Sequence, residues 1–149
     1  MPRQKNKATY FESVGRRKSA ICRLRLYLPE GKEMTIAGKV YQKGAIMIND
    51  VAAPTYFKGA ATAAKHLLPL TLTSSEDRFV VMAYVNGGGK TGQLTAFTLG
   101  VARALEKVDK SYRLVLKKAG LLSVDARVRE RRKAGMAGKA RKKRQSPKR

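Results

Sequence analysis

The last 23 residues, 127–149 (RVRERRKAGMAGKARKKRQSPKR), carry twelve Lys or Arg against one acid, Glu130, a net charge of +11. The few apolar residues among them, Val128, Met136 and several alanines, follow neither a helical nor a strand period. Such a segment cannot bury enough apolar surface to offset the entropy of ordering it. A solvated charge run suits a mixed-sign surface, whereas a block of one sign repels itself, so this one orders only against a polyanion. Whatever core the chain builds comes from the residues before it.

Those residues are basic too. The chain of 149 residues has a formal net charge of +23, which leaves +12 on residues 1–126. With a pI near 10.7, nucleic acid is the first class of partner and an anionic membrane the second. No apolar run approaches the roughly 18 residues of a spanning helix, and Met1 to Lys7 has no apolar export region. A cytoplasmic protein of one modest domain is expected. Cys22 and His66 are the only residues of their types, so neither an internal disulfide nor a four-ligand Cys/His zinc site can form from them. Cys22 reads as core packing. His66, expected near a helix C-terminus, reads as structural or surface.

Residues 19–28 (SAICRLRLYL) alternate with period two, placing Ala20, Cys22, Leu24, Leu26 and Leu28 on one side and Arg23, Arg25 and Tyr27 on the other. This predicts a half-buried strand with a basic outer face. Tyr10 to Val14 reads as its partner, with Gly15-Arg16-Arg17-Lys18 as a turn presenting three cations. Further strands are expected at Met34 to Ile36 and Ala45 to Ile48, with Asn49-Asp50 as a stop and Ala37 to Gly44 as an elaborated hairpin. Residues 55–68 predict a helix ended by Pro69. Arg78 to Val85 is apolar on both faces, as in a central strand covered on both sides or in part by a loop or tail. Leu94, Phe97, Val101, Leu105 and Val108 follow helical spacing, and a short helix at 111–118 stops at Gly120. The expected fold class is an α/β (α+β) two-layer sandwich.

The loop Asn86-Gly87-Gly88-Gly89-Lys90-Thr91-Gly92-Gln93 invites nucleotide-binding readings. A P-loop fails because the position five before Gly89 is Tyr84, not glycine. Gly87, Gly89 and Gly92 satisfy G-x-G-x-x-G, but a dinucleotide site also needs a following parallel strand that ends in an acid, and no convincing strand follows. Two readings remain: glycines that permit a sharp strand-to-helix path, or a helix N-terminus that binds an RNA phosphate beside Lys90. The acids are scattered with no paired-carboxylate site, and no triad can be built on His66. No enzyme, cofactor, metal or small-molecule substrate is expected.

Taken together, Gly15-Arg16-Arg17-Lys18-Ser19-Ala20, Gly87-Gly88-Gly89 with Gly92-Gln93, and Gly100-Val101-Ala102-Arg103-Ala104-Leu105 carry a resemblance. Gly120-Leu121-Leu122, Asp125-Ala126-Arg127, Glu130-Arg131-Arg132-Lys133 and the closing Lys148-Arg149 extend it. In that order the chain resembles the family of the ninth protein of the small ribosomal subunit, bacterial type. The resemblance implies a β-β-β-α-β-α core like the second domain of the fifth small-subunit protein, with a left-handed crossover and an extended basic C-terminal tail. It implies seating on 16S rRNA in the head beside neighbouring head proteins, and a tail reaching the anticodon stem-loop of P-site tRNA.

Under this reading residues 1–8 are a basic extension, 9–119 the globular rRNA-binding domain and 120–149 the tail. The expected rRNA-binding residues are Arg16, Arg17, Lys18, Lys90, Arg127, Arg129, Arg131, Arg132, Lys133, Lys139, Arg141, Lys142, Lys143 and Arg144. Lys148 and Arg149 are the expected tRNA-binding residues. Guanidinium groups pair bidentately with phosphates, which suits backbone neutralisation without base reading. The chain departs from the family where Gln145-Ser146-Pro147 replaces an aromatic residue and serine before the final pair, and where Glu33 to Gly44 exceeds the usual hairpin. A chromatin-like general nucleic-acid binder, an enzyme using the glycine loop and a membrane-active peptide are the competing classes. The last is disfavoured because the tail has no apolar face.

Overall fold

In the computed structural model, which describes residues 9–136 and 138–141, the alternating segment is strand β2 (Ala20–Tyr27). Ala20, Cys22, Leu24 and Leu26 are fully buried. Leu28 lies past the strand's end and is 41% exposed, so the inward series stops one step earlier than its pattern predicts. Burial pushes the Cys22 thiol up to about 12, which leaves it an unreactive small apolar group.

Strand β1 (Tyr10–Arg17) pairs antiparallel with β2 along its whole length. Gly15, Arg16 and Arg17 therefore belong to the strand, and the turn is only Lys18 and Ser19. The expected three-cation turn is corrected by this register. Gly15 gives no apolar alternation to read, yet it faces the core: a Cβ there would lie 1.8 Å from the Ala96 carbonyl oxygen and 2.7 Å from the Gly100 nitrogen.

Both of those residues belong to helix α3 (Lys90–Val108), which packs across β1 and β2. Leu94, Phe97, Val101 and Leu105 are buried as their spacing predicts, and Val108 is partly buried. The buried Ser13 hydroxyl donates to the Gly100 carbonyl at 2.7 Å. Each large apolar side chain removed from water here contributes roughly 1.5–3 kcal/mol.

β3 (Glu33–Ile36) and β4 (Lys39–Gln42) form a separate two-stranded sheet. β5 (Ile46–Ile48) and β6 (Val51–Ala52) complete the main sheet with β7 (Val80–Asn86), in the order β1-β2-β7-β5-β6. β5 runs parallel to β7, and the other pairings are antiparallel. The elaborated segment is thus a hairpin, turned by Ala37 and Gly38 at φ 50° and 81°. Asn49 and Asp50, at φ 48° and 64°, turn the β5–β6 hairpin in the same left-handed way. The Asn49 amide also exchanges two hydrogen bonds with the Val85 backbone, at 2.9 and 2.8 Å.

The single helix expected at 55–68 is two helices, α1 (Ala53–Tyr56) and α2 (Ala60–Leu72), with Pro69 inside the second. Proline removes the hydrogen bond to the carbonyl four residues back. That carbonyl, Lys65 O, instead faces the Thr98 hydroxyl at 3.4 Å. The helix continues to Leu72 all the same, and His66 is buried well inside it, its ring centroid 6.3 Å from that of Phe57. Helix α4 (Tyr112–Lys118) ends as predicted, with Gly120 at φ 72° donating to Lys117 O and Leu121 donating to Leu116 O. Leu121 then packs partly on the core.

Substituting Gly15→Ala drives a methyl group into helix backbone, so it should destabilise by about 3 kcal/mol or more, at the upper end of overpacking. Gly31→Ala, where the nearest atom to an added Cβ is 3.9 Å away, should stay within about 0.5 kcal/mol. Urea unfolding of the two variants measures the contrast, and equal stability would refute the close contact.

Candidate nucleic-acid interface

At one end of the sheet the β1–β2 turn, the glycine loop after β7 and the start of α3 come together. Gly87 and Gly88 adopt φ of 72° and 64°, a region that disfavours side chains. A Cβ on Gly87 would stand 2.4 Å from Ser19 O, and one on Gly88 3.0 Å from the Ala20 Cβ. These glycines let the loop lie against the turn. Gly89, the residue capping α3, has open space around it. Among the described residues α3 leads to α4 with no strand between, which removes the dinucleotide reading of the glycines.

No side chain caps the first turn of α3 and no acid lies in it, so its N–H groups leave a partial positive charge at this end. Gln93 closes the loop by donating to Gly87 O at 3.1 Å while accepting from the Tyr56 hydroxyl at 3.0 Å. The Lys90 ammonium sits 3.7 Å from the Tyr56 ring centroid, a cation–π contact that holds it against α1. Tyr56 was not legible as the partner of Lys90, because 34 residues separate them.

Arg16 and Lys18 are exposed, and neither forms an ion pair among the described residues. Arg17 differs. Its guanidinium donates to the carbonyls of Asp125 and Arg127 at 3.1 and 2.7 Å and pairs with the Asp125 carboxylate at 2.9 Å. Arg17 thereby fastens the root of the basic segment to the end of β1. Arg127 folds back on the same acid, through Nε and Nη2 at 3.0 and 2.8 Å. Asp125 is the residue whose role the sequence reading missed, although its spacing of two from Arg127 is a usable signal for such a clasp.

Beyond this clasp Arg129, Arg131, Arg132, Lys133 and Lys139 are exposed and without ion pairs among the described residues. The chain does not stay extended. It reverses between Lys133 and Lys139, with Lys133 N donating to Lys139 O at 3.1 Å and Gly135 and Gly138 at φ 75° and 71°. Arg141 closes the reversal with a two-pronged pairing to Glu130, its Nε donating at 2.9 Å. These two glycines supply the left-handed conformations of the turn. Lys142, Lys143, Arg144, Lys148 and Arg149, like the 1–8 extension, lie outside the described residues.

Both acids of the segment titrate low. The Arg127 guanidinium and backbone N–H, with Arg17 adding charge, hold the Asp125 carboxyl well below its usual range. Arg141 lowers Glu130 in the same way. Among the described residues no helix is long and apolar enough to cross a membrane, and no group of His, Cys, Asp and Glu could hold a metal ion.

The family model described as Ribosomal protein S9/S16 matches this chain over residues 15–149.

Because the folded pKa of Asp125 lies below its unfolded value, the clasp's stabilising effect is complete above about pH 4. It is lost progressively as pH falls from the unfolded value through the lowered folded one. A carboxyl NMR titration of the full chain should place the Asp125 midpoint below that of an ordinary aspartate, and Arg127→Ala should move it upward. A midpoint that ignores Arg127 would refute the clasp.

Proposed function

Since the chain belongs to the ribosomal protein S9/S16 family, a family of structural ribosomal proteins that act in translation, we propose that it is a small-subunit protein seated on 16S rRNA in the head. The observation that carries this reading is the clasp of Arg17 on Asp125 and Arg127. It joins two basic features, the β1–β2 turn and the tail, into one surface.

Arg16, Lys18 and the exposed cations Arg129, Arg131, Arg132, Lys133 and Lys139 neutralise rRNA phosphates on that surface. Arg17 acts mainly by aligning the tail root, and Arg127 and Arg141 become free for phosphate where RNA displaces their acids. Lys90, held on Tyr56, lends charge to the helix start. Such contacts position without reading sequence. Lys142, Lys143 and Arg144 continue the track, and Lys148 and Arg149 meet the anticodon stem-loop of P-site tRNA. A partner that changes identity every cycle suits phosphate-directed cations. The protein works in the cytoplasm, with other head proteins as neighbours and no catalytic role. Residues 9–119 form its rRNA-binding domain, with the β5-to-β7 crossover left-handed as in the family.

The chain should co-sediment with small subunits through a high-salt wash, and recovery only in the free fraction would contradict the proposal. Deleting 147–149 should weaken P-site tRNA binding while subunits still assemble; unchanged tRNA affinity would refute the tip's role. If the free chain engages about six phosphates of single-stranded RNA, log K should fall with log salt at a slope near −4. A slope near zero would contradict phosphate neutralisation.

A further inference from the structure

The helices cover one face of the main sheet, and the other face is left largely open. On it β1, β2 and β7 align in rows set by the pairing: Arg16 opposite Ile21, then Val14, Arg23 and Tyr84, then Glu12, Arg25 and Met82. Met47 of β5 extends the last row. Tyr84 is 60% exposed and Ile21 47%, which is unusual for large apolar groups on a central strand.

The β3–β4 hairpin borders this face and makes a hollow of about 260 Å³ whose walls include Arg23, Tyr84, Met82, Met47, Ile36 and Asp50. Lys39 of the hairpin stands 4.0 Å from Asp50 in the β5–β6 turn, tying the two hairpins across the hollow's edge. Arg25 is partly engaged, with Glu12 at 3.9 Å and the Tyr10 ring centroid at 4.9 Å. Arg23, directly opposite Tyr84, has no ion pair among the described residues.

We infer that this hollow is a subsite for one unpaired RNA base, which stacks on Tyr84 while its phosphate meets Arg23. An exposed aromatic ring on an open sheet is the platform on which single-stranded bases stack. The soft, flexible side chains of Met47 and Met82 form an adaptable floor. The acid in the wall argues for a base inside rather than a phosphate: Asp50 repels an anion but accepts from the N–H groups on a base edge. Charge decides the entry side, because Arg16 stands one row from Tyr84 on the same face and Lys18 follows in the β1–β2 turn. An RNA strand neutralised at the β1–β2 turn can pass over Ile21 to reach Tyr84.

The inference rests on RNA as the partner, and its test separates the two claims. Ultraviolet irradiation of small subunits carrying the full chain, followed by mass spectrometry of nucleotide-bearing peptides, should return a nucleotide on the peptide containing Tyr84. Cross-links confined to the tail and the β1–β2 turn would overturn the subsite and leave RNA binding intact. No cross-link anywhere on the chain would overturn RNA binding itself. The cross-linked base should also be protected from base-modifying reagents in subunits with the parent chain and with Tyr84→Phe. In subunits with Tyr84→Ala its reactivity should rise at least about fivefold, the low end of base–aromatic stacking. Equal reactivity in all three would overturn the proposal, and incorporation of each variant into subunits shows that it folds.

Discussion

Where Gly15 crosses α3, a hydrogen in place of a Cβ lets strand backbone lie against helix backbone, and any side chain would collide with Ala96 O at 1.8 Å. Gly100 lies opposite on the helix, where a Cβ would meet Gly15 N, Leu24 and the Cys22 sulfur at ordinary contact distances of 3.7 to 3.8 Å. The Ser13 hydroxyl bonded to Gly100 O fixes the two elements along their length. This approach sets how far β1 extends over the helix, and hence where Arg16, Arg17 and the turn stand relative to the start of α3. The glycine loop closes the same corner from the other side, Gly87 and Gly88 lying against Ser19 and Ala20. Both sets of glycines allow backbones to meet.

From that corner the electrostatics of the chain become orderly. Acids are few, and several of them organise cations: Asp125 gathers Arg17 and Arg127, Glu130 gathers Arg141, and Glu106 holds Arg113. Exposed pairs of this kind add little stability, so their effect is chiefly geometric. They aim the root of a strongly self-repelling segment and leave the remaining cations turned toward solvent. A polyanion that supplies many phosphates at once can exchange such weak pairs for stronger neutralisation.

Much of this was legible in the residues. Period-two alternation marked β2 and helical spacing marked α3, because burial acts on a regular face; Gly120 marked the end of α4 because its backbone takes the left-handed conformation there. What escaped notice involved backbone or long-range partners. Gly15 to Arg17 read as part of a turn because a glycine and two cations carry no apolar alternation, yet pairing with Cys22, Ile21 and Ala20 keeps them in the strand. Pro69 looked like a stop, although Thr98, distant in sequence, faces the carbonyl it frees. Arg17 looked equivalent to Arg16 until the fold set Asp125 beside one of them alone. The open sheet face could not be foreseen either, since Arg78 to Val85 reads as apolar on both sides and only the packing tells which side the helices take.

The central claim is that the clasped turn and tail form one phosphate-binding surface on small-subunit rRNA. The most direct measurement is the density of this chain in a small subunit with tRNA in the P site. Arg16, Lys18 and the cations of 129–133 should lie against rRNA phosphates, with Arg17 still on Asp125 and the residues beyond 141 leading to the tRNA. A chain whose β1–β2 turn and tail root face solvent, with RNA bound elsewhere on the domain, would contradict it.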